Sequence, residues 1–348
     1  MQLAKLYEEG DTSMGLPANI PKAVELLSMA ATKSDSNACL LLGHLYREGK
    51  GMEKKDPQKA FGFYQMADSL GHREGTTWLG KSYLEGEGVE RNKSEGIRLL
   101  GLGAELGDRL AQFELGIAYV QRKASEQQHA EGITLLIQAA EELTIAKTSL
   151  GWLYQQGKRV SKDIDKAIEW YRAAIKDGSA DAEYLLGKLY HKGDNGEHHF
   201  MRRALALYYA AAEKGHAEAN LALGELHWLG RIHGKGLIKE GDSIVRSREF
   251  FDRAAEKGST KAHYYLALHH CLRANDDPAM AEQALKHFTI AAEAGVALAQ
   301  KELSRLYQEG GLGVAPDEEK AGKYLAMLSA AAARNQKGGK KTTKLKNK

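Results

Sequence analysis

Histidine is the residue type in this sequence that most readily suggests chemistry. Imidazole and thiolate groups bind zinc, which usually takes four donors at about 2 Å. His227 and His270 stand at equivalent places in neighbouring repeats (described below), and stacking would bring them to about 10 Å from each other. The alternative is that both rings replace a tyrosine in helix packing, each hydrogen-bonded through one nitrogen. The sequence favours packing, so we expect no metal site and no cofactor. The candidates are His191, His198, His199, His227, His233, His263, His269, His270 and Cys271.

Motifs typical of catalysis are missing or incomplete. Gly80-Lys81-Ser82 ends like a phosphate-binding loop but lacks the glycine-rich run that such a loop needs before it. The glycine pairs at 86–88 and 310–313 lie between predicted helices rather than after a strand. No HExxH, GxSxG or CxxC motif occurs. We therefore predict that the protein is not an enzyme.

Composition and charge suggest an intracellular protein. The 348 residues are 43% hydrophobic and 27% charged, and no run approaches the roughly 18 apolar residues of a membrane span. The start, MQLAKLYEEG, resembles no signal peptide, and two cysteines make no disulfide framework. We expect a cytoplasmic location.

A spacing of about 36 residues organises almost the whole chain. The motif Leu-Gly-x-x-Tyr recurs at intervals of 37, 36, 35, 36 and 37 residues, with a histidine in the last tyrosine place. Extending the spacing reaches Ala4 in one direction and Ala267 and Ser304 in the other. The glycines of the motif are Gly43, Gly80, Gly116, Gly151, Gly187 and Gly224.

A second marker runs in step with the first and predicts a second helix in each repeat. A small residue begins an apolar run with helical spacing, and large residues follow three and four places later. A glycine in a helix interior costs roughly 1 kcal/mol relative to alanine, so the first marker indicates close approach between helix A, which carries Leu-Gly, and the small residues of helix B. A glycine eleven places after the small residue predicts a left-handed cap that ends helix B. The small residues are Ala23, Ala60, Gly96, Gly132, Ala167, Ala204, Ser247, Ala284 and Ala321.

Start signals support this pairing of helices. Asp56-Pro57 and Asp277-Pro278 are typical of an N-cap followed by proline at the first helical position. Asn92 followed three residues later by Glu95 predicts a capping box. No stretch alternates with period two long enough for a strand, so we predict an all-α fold.

The repeats resemble the Sel-one-like repeat family, a relative of the tetratricopeptide repeat. The segments that carry the resemblance include ADAEYLLGKLYHKG from Ala180, KDIDKAIEWYRAAIKDGSADA from Lys162 and AEANLALGELHWLG from Ala217. The resemblance covers residues 1–333 and implies a right-handed superhelical solenoid of about nine helix-turn-helix repeats. It also implies use as an adaptor that assembles other proteins.

Departures from the repeat mark boundaries and possible sites. The fourth repeat replaces its glycine-rich turn with QRKASEQQHAEG, and an insertion within 228–251 stretches the marker interval to 43 residues. Residues 334–348 contain seven Lys or Arg and no acid, so the remainder of the chain carries a formal charge of −4 instead of the overall +3. We expect 1–333 to form the solenoid and 334–348 a disordered basic tail.

Helix A should line the concave face of such a solenoid and bind a protein or peptide. Residues three before, one after and four after the repeat glycine share one helical stripe. That stripe is polar in the first repeats, as at His44 and Arg47, and becomes apolar and aromatic further on. An apolar residue there either packs against the next helix or contacts a partner, and we favour the partner. The predicted groove residues are Phe113, Ile117, Val120, Trp152, Tyr184, Leu221, Trp228, Tyr264 and Leu268.

A basic rim offers a second surface and an alternative function. Together with the tail it could contact nucleic acid, an acidic protein or an anionic membrane surface, although solvated charge is the simpler explanation. The tail has no interleaved aromatic residues, which disfavours specific nucleic-acid recognition. The rim residues are His198, His199, Arg202, Arg203, Arg231, His233, Lys235 and Lys239.

Overall fold

Helices in antiparallel succession build the part of the chain that the structure, a computed structural model, describes. It describes residues 19–50, 54–121, 125–193, 200–230, 243–274 and 277–343, with side chains as far as residue 330. Two compact units divide the chain, Met1–Asp177 (unit 1) and Gly178–Lys348 (unit 2), and each is described by itself. Across these described ranges no strand occurs, only an isolated bridge between Gly311 and Val314.

Helix A and helix B alternate along both units as the two markers predict. In unit 1 the helices are α1 (Ile20–Ala31), α2 (Ser36–Glu48), α3 (Pro57–Ser69), α4 (Arg73–Glu85), α5 (Lys93–Glu105), α6 (Arg109–Gln121), α7 (Glu126–Ala139), α8 (Thr144–Gln156) and α9 (Ile164–Lys176). In unit 2 they are α10 (Ala180–Lys192), α11 (Met201–Glu213), α12 (Ala217–Trp228), α13 (Ser243–Glu256), α14 (Thr260–Cys271), α15 (Pro278–Glu293), α16 (Ala297–Glu309) and α17 (Glu318–Thr343). Even-numbered helices are helix A and odd-numbered helices are helix B.

Within each unit, a helix packs chiefly on the helices before and after it in sequence, so the repeats of that unit bury their apolar stripes against one another. The repeat leucines and the small residues of helix B form these cores, as Leu150 and Ala167 do with no exposed surface. The fold class predicted from the sequence, an all-α solenoid of helix-turn-helix repeats, is confirmed.

The repeat glycines of helix A lie against helix B more closely than a side chain permits. A Cβ on Gly43 would lie 2.4 Å from the ring of Tyr64, and one on Gly151 would lie 2.7 Å from the ring of Tyr171. At Gly80 the neighbour is the backbone oxygen of helix B itself, 3.1 Å away. Close approach is therefore confirmed, but in four repeats the nearest neighbour is the aromatic residue four places after the small one, and the backbone oxygen of the small residue is among the nearest atoms in the third and fourth repeats. The six glycines predicted to end helix B all have φ between 75° and 92°, the left-handed conformation.

The predicted N-caps form, with one correction. Asp56 accepts a hydrogen bond from the Lys59 amide at 3.0 Å, and Asn92 accepts one from the Glu95 amide at 3.2 Å. The capping box predicted at Asn92 is incomplete, because the Glu95 carboxylate pairs with the guanidinium of Arg98. A complete capping box instead starts α7, between Ser125 and Gln128.

A polar side chain in helix A closes the end of the preceding helix B, a device that the sequence reading missed. The position is four residues before the repeat glycine. Gln300 donates to the Ala292 carbonyl at 2.9 Å, and Asn220 donates to the Ala212 carbonyl at 3.5 Å. These carbonyls belong to the last turn of helix B, where each also accepts a backbone amide, Ala292 from Gly295 and Ala212 from Gly215, so the side chain supplies a second donor.

The last helix extends beyond the boundary predicted between the solenoid and the tail. Helix α17 continues past residue 333, the predicted boundary of the tail, to Thr343. The four alanines of residues 330–333 favour a helix up to this boundary, and beyond it Lys337, Lys340 and Lys341 are good helix formers whereas Gly338 and Gly339 are poor ones. Disorder of the tail stays a prediction. No helix in the described ranges is both long and apolar enough to cross a membrane.

Candidate protein-interaction face

Tyrosines from helix B reach through the repeat to helix A. The ring of Tyr171 passes beneath Gly151, and its hydroxyl donates to Gln155 Oε1 at 2.7 Å. Tyr64 does the same beneath Gly43, with its hydroxyl 3.1 Å from His44 Nδ1. Burial raises the pKa of both phenols well above the usual value, so both remain protonated donors. The hydrogen bonds therefore fix the side chains that helix A presents.

The face of helix A in unit 1 (the helix-A face, residues His44, Arg47, Trp78, Lys81, Glu114, Ile117 and Trp152) begins with a cation–aromatic cluster. The guanidinium of Arg47 lies 3.9 Å from the centre of the Trp78 ring, and the Lys81 ammonium lies 4.9 Å from it. His44 meets the same ring edge-on at 4.9 Å. Burial lowers the pKa of His44 to about 4, so its imidazole is neutral at pH 7 and can accept the Tyr64 hydrogen bond.

Successive A helices of unit 1 are joined along this face. The ammonium of Lys81 on α4 pairs with the Glu114 carboxylate on α6 at 2.5 Å. Both side chains are largely buried, at 16% and 21% exposure, so the pair is better shielded from solvent than a surface ion pair. The pair holds α4 and α6 in a fixed relation and thereby positions the residues on either side.

Trp152 on α8 is the aromatic residue of this face with the most exposed surface. Its side chain is 37% exposed, and the ammonium of Lys158 lies 4.6 Å from its ring centre. Ile117, one repeat earlier, is half-buried against the core that contains Leu150.

Phe113 and Val120 do not line an open groove. Both are buried in the core between α6 and its neighbours, at 9% and 5% exposure. A Cβ on Gly132 of α7 would lie 3.2 Å from the Val120 side chain. For these two residues the alternative left open by the sequence, packing against the neighbouring helix, is correct. The physical reason is that helix A is covered from two sides by its own helix B and by the next repeat.

The five predicted groove residues in unit 2 are all half-buried. Tyr184 stacks on the His216 ring at 4.8 Å, and Trp228 meets the His269 ring edge-on at 4.7 Å. Leu221 and Trp228 pack on the core around Phe251. Tyr264 and Leu268 pack on the core around Phe288. Each of these residues keeps only part of its surface exposed.

The two histidines at equivalent repeat positions, His227 and His270, serve in packing. His227 is buried beside Phe250, with Nε2 3.1 Å from the Tyr209 hydroxyl. His270 is also buried, and its Nδ1 lies 3.4 Å from the Met280 sulfur. Both rings thus occupy the tyrosine place of the repeat, as the alternative interpretation stated. Among the described residues no three His, Cys, Asp or Glu side chains converge as metal ligands.

Only two of the predicted rim residues fall within the described part of the chain. Arg202 and Arg203 begin α11 and are exposed, and the Arg203 guanidinium lies 4.6 Å from the centre of the Phe200 ring. The remaining rim residues lie outside the described residues, as do Ala4 and the rest of the first helix A: His198, His199, Arg231, His233, Lys235 and Lys239.

Comparison with known proteins identifies the repeat. The model of the Sel1 repeat matches this chain nine times, at residues 1–35, 36–72, 74–108, 109–142, 145–179, 180–216, 217–259, 260–296 and 297–332. Two fission yeast proteins, from Schizosaccharomyces pombe, are similar in sequence. Chitin synthase regulatory factor 3 is 26% identical over 70% of this chain, and chitin synthase regulatory factor 1 is 31% identical over 37% of it. The matched part is 27% of the length of each relative.

Solved structures with the same fold come from bacteria. A protective antigen of uropathogenic Escherichia coli, described as displaying an SLR fold, aligns with a TM-score of 0.60 and 26% identity over 88% of this chain and 64% of the antigen. A Sel1 repeat protein from Oxalobacter formigenes aligns with a TM-score of 0.59 and 23% identity, over 88% of this chain and 85% of that protein. The second likeness, at this identity, concerns the fold alone.

Proposed function

Since this chain belongs to the Sel1 repeat family, whose members generally act as scaffolds that bind other proteins, we propose that it holds a partner protein on the helix-A face of unit 1. The Sel1 repeat fold is of a non-enzymatic scaffold type, so binding rather than catalysis is the activity to explain. The partner contributes an extended or helical segment that lies across α4, α6 and α8.

The exposure of Trp152 is the observation that carries this proposal. A tryptophan on a helix of 13 residues, flanked by buried leucines, leaves more than a third of its surface uncovered. Tryptophan is enriched among the residues that dominate binding energy, because it offers a large rigid apolar area and a ring face for cations. The Lys158 ammonium already lies over part of the Trp152 ring. A partner side chain that packs beside this lysine would therefore bury the ring and the lysine together.

The rigidity of the surroundings supports the same surface. The Tyr171 hydroxyl holds Gln155 one turn after Trp152, and the Lys81–Glu114 pair links the preceding A helices. A face whose side chains are already fixed loses little conformational entropy when a partner binds. The names of the fission yeast relatives describe regulatory factors, which agrees with an action through binding.

The test compares two exposed apolar side chains of unit 1. Affinity capture with the intact chain first identifies the partner. Trp152→Ala should then weaken the affinity roughly 30-fold, the loss expected when a hot spot of about 2 kcal/mol is removed. Leu102→Ala is the matched control, because Leu102 is 41% exposed but lies on α5, a helix B. The affinity of the Leu102→Ala variant for the partner should stay within about twofold of that of the original chain.

Equal affinities for the original chain and Trp152→Ala would contradict the proposal. The alternative function, contact with nucleic acid or an anionic surface through the basic tail, predicts another pattern. Binding would then fall steeply with salt and would disappear when residues 334–348 are removed.

A further inference from the structure

Three histidine rings lie in direct contact between α14 and α15 of unit 2 (the histidine cluster, residues His263, His270 and His287). The Nδ1 atoms of His263 and His287 are 2.9 Å apart, and the two rings stack with their centres 5.1 Å apart and their planes at 26°. The His270 ring stacks on His287 from another side, at 5.4 Å and an angle of 11°. His287 is therefore in contact with both other rings.

The contact between the two Nδ1 atoms requires that one imidazole donates and the other accepts. One proton satisfies this hydrogen bond. If both rings are protonated to imidazolium, two Nδ1–H groups point at each other and two positive charges lie side by side. The geometry thus tolerates the neutral pair and opposes full protonation.

Most charged groups around the cluster also disfavour protonation of its rings. From α13, Arg248 faces His270 and His287 and disfavours a further positive charge, whereas Asp252 favours one on His270. Burial raises the pKa of Asp252, which weakens that compensation. On α15 itself, Lys286 adds a second cation. From α16, Glu302 and Arg305 influence Cys271 at the end of α14.

The protonation equilibria agree with this geometry. Burial lowers the pKa of His263 and of His270, and burial together with the two neighbouring rings lowers the pKa of His287 to about 4. His269 is buried with its Nε2 2.9 Å from Ser247 Oγ on α13, and burial lowers its pKa to about 4 as well. Four neutral rings therefore join α14 to both neighbouring helices.

We propose that the packing of α14 between α13 and α15 is an acid-sensitive joint that opens when the histidine cluster takes up protons. Above pH 6.5 the rings are neutral in both the closed and the open state, and the joint is at its most stable. As the pH falls from 6.5 towards 4, the histidines bind protons in the open state but remain neutral in the closed state, so the open population rises. The effect is complete below about pH 4, where the closed state is protonated too.

The expected size follows from one ring. With a pKa of about 4 when closed and the ordinary 6.5 when open, His287 alone increases the opening equilibrium about 30-fold between pH 7.5 and pH 5. This inference does not depend on the proposed function, because it concerns the chain without a partner.

Hydrogen exchange of the intact chain tests the proposal. Exchange rates of backbone amides, corrected for the intrinsic effect of pH, are measured at pH 7.5, 6 and 5 for α14 and α15. Opening should increase by tenfold or more in these helices and by much less in α6 and α7 of unit 1. Equal pH dependence in the two helix pairs would overturn the proposal.

A variant separates the cluster from a general acid effect. His287→Phe keeps an aromatic ring between His263 and His270 but cannot titrate, so the pH dependence of opening in α14 should decrease several-fold. His129→Phe in α7 is the control, since it removes a buried histidine from unit 1. Titration of the histidine C2 protons by nuclear magnetic resonance in the original chain gives a second measurement. Ordinary pKa values for all three cluster rings would refute the proposal even if the variant did not fold.

Discussion

Replacing Gly151 by alanine should destabilise unit 1, although alanine is the better helix former. The added Cβ would lie 2.7 Å from two atoms of the Tyr171 ring, well inside ordinary van der Waals contact. Overpacking of this kind costs typically 1–3 kcal/mol, and a displaced ring would also lose its hydrogen bond to Gln155, about 1 kcal/mol. The higher helix propensity of alanine offsets about 1 kcal/mol of this loss. The net loss in the free energy of unfolding should be about 2 kcal/mol.

A glycine without neighbours supplies the matched control. Gly101 lies inside α5, and a Cβ there would meet no atom within 4 Å. Gly101→Ala should therefore raise the free energy of unfolding by about 0.5–1 kcal/mol. Urea denaturation of both variants, followed by circular dichroism, measures the difference. The two substitutions should shift stability in opposite directions.

A double-mutant cycle identifies the contact responsible. With Tyr171→Ala in the background, Gly151→Ala should no longer be destabilising, because the ring that it would strike is gone. If Gly151→Ala stabilises the original chain as Gly101→Ala does, the close approach of helix B is not what requires a glycine in helix A. The explanation of the repeat would then be wrong.

Three further predictions concern the helix ends and the tail. Gln300→Leu should lower the free energy of unfolding by about 1 kcal/mol in urea denaturation, because the Ala292 carbonyl loses its side-chain donor and keeps only the Gly295 amide; an unchanged midpoint would count against this cap. Asp163→Ala should cost about 1 kcal/mol, since Asp163 accepts from the Lys166 amide, whereas Asp163→Asn should retain most of that stability in the same assay. Truncation after residue 333 should leave the affinity for a captured partner unchanged in a binding titration, and a large loss would favour the alternative function of the tail.

The order of the helices and the position of their ends could be predicted because both depend on local spacing. The interval between repeat glycines gives the length of a helix pair. A glycine after helix B adopts the left-handed conformation without a steric penalty, so its position predicts where the helix ends. The stripe of helix A was also predictable, because three- and four-residue spacing defines a single side of a helix.

The depth at which each residue lies could not be predicted from the same spacing. Phe113 and Trp152 lie on the same predicted stripe, yet Phe113 is buried and Trp152 is 37% exposed. The difference depends on the side chains that the next repeat supplies, and the periodicity carries no information about them. Of the histidine cluster, His263 and His270 were among the candidates named from the sequence, but His287 was missed, for a related reason. His287 lies on a helix B, and its contact with His263 depends on the packing of two helices rather than on a motif.

Site-specific photocrosslinking tests the central claim most directly. A photoreactive phenylalanine analogue is placed at position 152 on α8 or at position 102 on α5, and both proteins are irradiated in native cells. We expect one partner to be crosslinked at position 152, through a defined segment, and little or no crosslinking of that protein at position 102. Equal yields at the two positions, or crosslinking only from helix B, would contradict an interaction face built from helix A.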